Sequence, residues 1–222
     1  DLADATIYFR DMANEMAKQM PRDDNGKLIF DDFDTLAAQA GQGFTAMTYE
    51  YSGSIFAGSI LPVKKLGWAD MYTSMGITGI TMPLTGEAAV NPQIPAISLP
   101  FTMCHEMAHR MSIATENDAN FAAFLACIAN EDPQFRYSAY YMAFRYCYSA
   151  LSAAGTAETS AAAARINIGI NDYLGYDLNQ YNKFFSKHRN DALFNIADAV
   201  NDTYIKVSGD ENGTASYGQV RP

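Results

Sequence analysis

Apolar residues recur at helical spacing along most of this chain. Leu2, Ile7, Phe9, Met12, Met16 and Met20 trace an amphipathic helix, which Pro21-Arg22-Asp23-Asp24-Asn25-Gly26 brings to an end. The pattern predicts a second helix from about Asp31 to Tyr49, stopping before Ser52-Gly53. Gly53 to Lys65, rich in small residues and holding Pro62, reads as loop, and a short helix spans Trp68 to Met75. The best strand candidate is Ile77 to Leu84, where Ile and Thr flank Gly79 and Pro83 stops the run. Asn91-Pro92-Gln93-Ile94-Pro95 forms a rigid loop leading into an apolar segment, Leu99 to Ile113. Helical spacing then resumes over Thr115 to Ala129, Pro133 to Leu151, Ala157 to Leu174 and Leu178 to Val207, with Gly155 and Gly175 as separators. The run Ala161 to Ala164 adds helix propensity rather than a repeat. A polar, glycine-rich tail runs from Ser208 to Pro222. The predicted fold class is α+β, mostly helical, with a small sheet or hairpin beside the Leu99–Ile113 segment. One domain is expected over 1–222, with a helical N-terminal part to about residue 60, a core at 61–130 and a helical part from 131.

The apolar segment at Leu99–Ile113 carries Cys104-His105-Glu106-Met107-Ala108-His109. Residues four apart on a helix lie one above the other, so His105 and His109 face the same way and can clamp a Zn²⁺ ion. Glu106, one position round, is placed to act as general base toward a water. The bland alternative is a helix with two solvated histidines and a carboxylate. Against it, the chain has only three histidines and two of them take the metal spacing.

A catalytic zinc needs a third protein ligand and an open position. Glu116 is the candidate, and a distance argument shapes it. On an unbroken helix, eleven residues would put Glu116 roughly 16 Å from His105, far beyond zinc–ligand bonds of about 2 Å. The chain must therefore turn after His109. Thr115-x-x-Asp118 resembles a capping box that would start a new helix at Glu116, where the helix dipole favours an ionised carboxylate. Asn120, one turn on, is a candidate support for Glu116 or a histidine. Glu116 could also be an ordinary surface acid at a helix start.

Longer runs are more specific than the five-residue motif. Gly79-Ile80-Thr81-Met82-Pro83-Leu84-Thr85-Gly86-Glu87-Ala88-Ala89-Val90-Asn91, then Leu99 to His109, then Glu116-Asn117-Asp118-Ala119-Asn120 through Cys127 together resemble the DUF3810 family. Phe135-Arg136-Tyr137-Ser138, Asn201 to Lys206 and Ser216-Tyr217-Gly218 extend the resemblance, which covers most of the chain from about Pro62. It implies a zincin-like protein of bacteria, chiefly Firmicutes, anchored in a membrane by hydrophobic helices upstream, with this domain outside the cytoplasm. It also implies a metallopeptidase of unassigned substrate. Two departures stand out: Ser112 occupies a position usually held by glycine, and Glu116-Asn117-Asp118-Ala119-Asn120 replaces a more acidic E-D-E-A-N.

Composition narrows the rest. A net charge of −10 and a pI near 4.6 argue against nucleic acid, which needs clustered Lys and Arg. No run reaches the length of a membrane span and no signal peptide opens the chain, so it reads as a soluble piece of something longer. Cys104, Cys127 and Cys147 lie in apolar segments and read as buried small hydrophobes, although one pair could be bridged. An oxyanion donor is drawn from Tyr137, Tyr140, Tyr217 and His188, with Tyr217 favoured because its polar tail could fold over the cleft. His188 is also a minor candidate for third ligand. Thr81 to Asn91 is expected to offer a strand edge to an extended peptide, and Glu87 is left to cap, to pair with a base or to border the cleft. The expected function is zinc-dependent peptide hydrolysis through His105, His109, Glu116 and Glu106. A non-catalytic binding module at the cell surface and a zinc amidase acting on cell-wall peptides are the alternatives.

Overall fold

The computed structural model describes residues 1–50, 60–82 and 84–207. Helix α1 (Leu2–Gln19) starts on a capping box in which the Asp1 side chain accepts from Asp4 N. Helix α2 (Phe33–Glu50) is followed by strand β1 (Lys64–Lys65), the short helix α3 (Ala69–Ser74), and the hairpin of β2 (Gly79–Met82) and β3 (Glu87–Val90). A turn of 3₁₀ helix at Ala96–Ser98 leads into α4 (Leu99–Arg110), and α5 (Glu116–Ala129) and α6 (Pro133–Ala153) come next. The chain ends in α7 (Ala157–Ile168), α8 (Asp172–His188) and α9 (Asp191–Val207). The expected α+β class is thus observed. Among the described residues no helix is long and apolar enough to cross a membrane.

Helix α4 is the axis of the packing. It contacts α2, α5, α6 and both strands of the hairpin, and nine of its twelve residues are buried. Only His105, His109 and Arg110 reach toward solvent. Its own Met103 and Met107 pack among Leu36, Phe44, Phe135, Tyr141 and Phe144 in the core, each at most 2% exposed. Helices α2 and α5 approach closely at Gly43, where a Cβ would fall 1.9 Å from the Ala126 carbonyl oxygen. Cys104, Cys127 and Cys147 are all buried free thiols, so no pair is bridged.

The sheet runs β1-β3-β2, with β1 parallel and β2 antiparallel to β3. Its register places Thr81 opposite Ala88 and Gly79 opposite Val90, on the face that packs against α4. Two expectations are corrected here. Lys64-Lys65, expected in a loop, is a strand. And since β3 pairs with β2 along its whole length and with β1 at Ala89 and Val90, that part of Thr81–Asn91 has no free edge; among the described residues the open edge by α4 belongs to Gly79–Met82. Glu87 does pair with a base, forming an exposed ion pair with Lys64 across β1 and β3.

The long C-terminal patterns are also divided differently. Ala157–Leu174 is not one helix: α7 ends at Ile168, and Asn171 caps α8 by accepting from Leu174 N. Helix α1 pins that junction, because Asn14 donates to Gly169 O and accepts two hydrogen bonds from Asn171, from its backbone N and its Nδ2. Gly175 lies inside α8 rather than separating helices, and the Leu178–Val207 pattern breaks at Asn190, which accepts from Ala192 N and Leu193 N to start α9. A buried ion pair, Arg22 with Asp177, ties the loop after α1 to α8, and Tyr137 donates to the same carboxylate.

Candidate metal centre

Helix α4 holds Pro100 at its second position, harmless in a first turn whose N–H groups lack helical partners, and Phe101 N is satisfied by Ser138 Oγ at 3.1 Å. One turn on, His105 and His109 stand edge to face with ring centroids 4.6 Å apart and Nε2 atoms 3.0 Å apart. The helix ends in a Schellman motif. Ser112 N donates to His109 O at 2.9 Å, Ile113 N donates to Ala108 O at 3.2 Å, and Ser112 sits in the left-handed region at φ +72°. This is the position where the resemblance leads one to expect glycine, and the backbone there has the conformation glycine adopts most easily.

The reversal has a chemical consequence. It carries the Ile113 carbonyl to 2.8 Å from His109 Nδ1. A carbonyl can only accept, so Nδ1 bears a hydrogen, and in the neutral ring Nε2 carries the lone pair toward Glu116. Thr115 then caps α5, accepting from Asp118 N and donating to Asp118 Oδ2 at 2.6 Å, which starts the helix at Glu116 as the sequence indicates. The Glu116 carboxylate falls 3.2 Å from His105 Nε2 and 3.5 Å from His109 Nε2. The three donor atoms lie within 4.8 Å of one another, a spread one ion with bonds of about 2 Å can bridge. His105, His109 and Glu116 could therefore hold a metal.

Electrostatics agree with this geometry. Burial works against charge on Glu116, but the two imidazoles outweigh it and hold the carboxyl well below the usual carboxylate range. Burial likewise opposes charge on His109, and Glu116 overrides it and raises the imidazole above its ordinary value. His105 Nδ1 is buried and has no hydrogen-bond partner among the described residues.

Glu106 is 5% exposed and points toward β2. A Cβ on Gly79 would meet its carboxylate oxygen at 2.4 Å, so glycine makes the room in which Glu106 sits. Thr81 Oγ1 lies 2.7 Å from Glu106 Oε2 and 2.9 Å from Glu106 O. Burial raises the Glu106 carboxyl above its ordinary value, against the opposing pull of His105, Thr81 and His109. The single Thr81 hydroxyl serves both protonation states. It donates to the carboxylate when Glu106 is ionised, and accepts from the carboxyl while donating to the backbone oxygen when Glu106 is protonated.

Other predicted residues are placed elsewhere. Tyr217 lies outside the described residues. His188 is exposed at the end of α8, stacked on Phe184 at 4.5 Å, and does not join the cluster. Tyr137 is engaged by Asp177, and Tyr140 packs on Phe124. Asn120 makes no hydrogen bond to Glu116 or to either histidine among the described residues. The structure instead brings up Tyr146 of α6. Its ring packs on Phe101, one turn before His105, with centroids 6.0 Å apart, and it remains 37% exposed. Crowding by the protein pushes its phenol up, and the Tyr181 phenol and the Glu116 carboxylate add to that against Arg145. The only sequence signal was the four-residue spacing Ser138, Met142, Tyr146 along one side of a helix.

The family described as protein of unknown function DUF3810 matches residues 1–221. The chain belongs to the DUF3810 family. No curated protein and no solved structure matches it.

Proposed function

We propose that this DUF3810 protein is a zinc-dependent peptidase with a minimal zincin-like arrangement. The observation that carries the reading is the buried Glu106 carboxylate beside His105, His109 and Glu116. A buried carboxylate without a cationic partner is costly, and a site that only stored a metal would not need one there. Zinc, when bound, supplies a Lewis acid that acidifies a water to a pKa of about 7 and polarises a carbonyl.

The chain's own residues complete the reaction. Glu106 accepts a proton from the attacking water, with Thr81 holding the carboxyl in place, and later returns that proton to the departing amine. Tyr146 donates a hydrogen bond toward the oxyanion that forms at the carbonyl. The outer edge of β2 offers backbone groups to an extended substrate, which keeps the scissile bond alongside Glu106.

The test is metal content followed by a broad peptide library that includes cell-wall amides. One zinc per chain is expected in protein purified without chelator. Glu106→Gln should keep the zinc and the fold and lose about 10²–10⁴-fold in cleavage, the usual contribution of a general base. Equal cleavage by parent and variant removes Glu106 from the mechanism. A zinc-loaded parent that cleaves nothing favours a binding module.

A further inference from the structure

A second feature lies at the opposite end of α4. A pocket of about 460 Å³ opens between the Gln93–Ile97 approach to α4, the loop at Lys27 and α8 from Tyr176 onward. Small-molecule sites commonly span about 300–1,000 Å³. Its walls include Ile94, Ile97, Tyr181 and Phe184, the first three of them buried. Its rim carries Lys27, Lys183, Lys187 and His188, and Lys183 and Lys187 stand four apart on one side of α8.

The charge at this pocket runs against the rest of the molecule. The chain holds 25 acidic and 15 basic residues. The one acid lining the pocket, Asp177, is already bound by Arg22 at 2.6 and 2.8 Å and by Tyr137. Six lysines have described side chains. Lys18, Lys64 and Lys65 each pair with an acid, and the three that pair with none among the described residues all line this pocket.

We propose that the pocket binds a single-chain amphiphilic carboxylate, a fatty acid of medium length. The alkyl chain lies against the apolar walls and the head group meets the three lysines. The walls decide between this and a peptide. Each peptide residue brings an N–H and a C=O that cost free energy when buried unpaired, whereas an alkyl chain brings none. The proposal does not rest on the metal centre: Ile97 precedes His105 by eight residues, about 12 Å along the helix.

The experiment uses the full chain, with 1-anilinonaphthalene-8-sulfonate as reporter and decanoate, decyltrimethylammonium and an acidic peptide as competitors. Decanoate is expected to bind below about 1 mM and to displace the reporter, while the cation of equal chain length does not. Ala96→Trp, which fills the pocket, should abolish decanoate binding. The double charge reversal Lys183→Glu, Lys187→Glu should weaken it about tenfold or more at an unchanged thermal midpoint. Equal binding of the cation, an undiminished affinity in the charge-reversed variant, or capture of the acidic peptide but not decanoate would overturn it. None of these readouts involves zinc or hydrolysis, so failure here and failure of the peptidase reading stay distinct.

Discussion

Ser112 does the work that glycine would do at lower cost. At φ +72° its Cβ crowds the following carbonyl, a strain of about 1–2 kcal/mol for an L-residue. Yet this one dihedral returns Ile113 O to His109 and lets α5 start at Glu116. Ser112→Gly is therefore expected to stabilise the fold by about 0.5–1 kcal/mol, the strain relief being partly offset by glycine's larger unfolded-state entropy. A urea midpoint that falls instead would show that the serine side chain contributes a bond of its own. Thr81→Val should leave zinc affinity intact and lower turnover, and Thr81→Ser should restore it, because only the hydroxyl follows both states of Glu106. An undiminished rate in the valine variant would end that role. The His105–His109–Glu116 cluster was legible at this scale because local spacing carries it: two histidines four apart, a distance that demanded a turn, and a cap that marked its end. Thr81 and Tyr146 were not, since they arrive at α4 from 25 residues before and 40 residues after Glu106, and no periodicity records such contacts. Asn120 shows the converse failure, a helical spacing that placed a side chain near the site without giving it a bond there.

Among elements, the helices were readable from their apolar spacing and the strands much less so. A two-residue strand such as β1 has no alternation to display, and β3, Glu-Ala-Ala-Val, is short and poor in β-branched residues. The helix breaks after Ile168 and His188 were missed for another reason. They are made by Asn171 and Asn190, whose side chains cap the next helix, while the more conspicuous Gly175 is accommodated within α8. Gly43 is a place where two helices leave no room for a side chain. A methyl there would overlap the Ala126 carbonyl, a backbone group that cannot rotate away. Gly43→Ala should force α2 and α5 apart and destabilise by about 1–3 kcal/mol, against the gain of up to about 1 kcal/mol expected for alanine at an exposed helical position. Thermal denaturation checks the sign. Since α5 begins at Glu116, the same variant should also weaken zinc binding, and an unchanged affinity would mean that the cluster is insulated from the α2–α5 contact.

For the molecule as a whole, protons and the proposed metal would compete for one set of groups, and the direction of each shift gives the pH dependence. Without metal, the depressed Glu116 carboxyl contributes stability that is present above its ordinary range, near pH 4.3, and is lost as the pH falls through its folded value. The raised His109 imidazole contributes stability that is present below about pH 6.5 and is lost as the pH rises through its folded value. Glu106 adds to this second trend. Its carboxyl is raised by burial, so the folded state holds that proton more tightly, and stability declines as the pH climbs from the ordinary carboxyl range toward the folded value. The metal-free protein should therefore be most stable near pH 5 and weaken toward pH 8. Zinc bound as proposed would reverse the slope at His109, because binding requires the imidazole to be neutral and so releases its proton. Affinity should rise up to about tenfold per pH unit below the His109 value and level off above it, and at a hundredfold excess over the dissociation constant zinc would add about 2.7 kcal/mol. The measurement is the thermal midpoint from pH 5 to pH 8 with and without zinc. The two curves should diverge as the pH rises, and in Glu116→Gln they should lie closer together at every pH. Parallel curves would mean that zinc, if it binds, does so without displacing a proton from His109, and the three-ligand assignment would then fail.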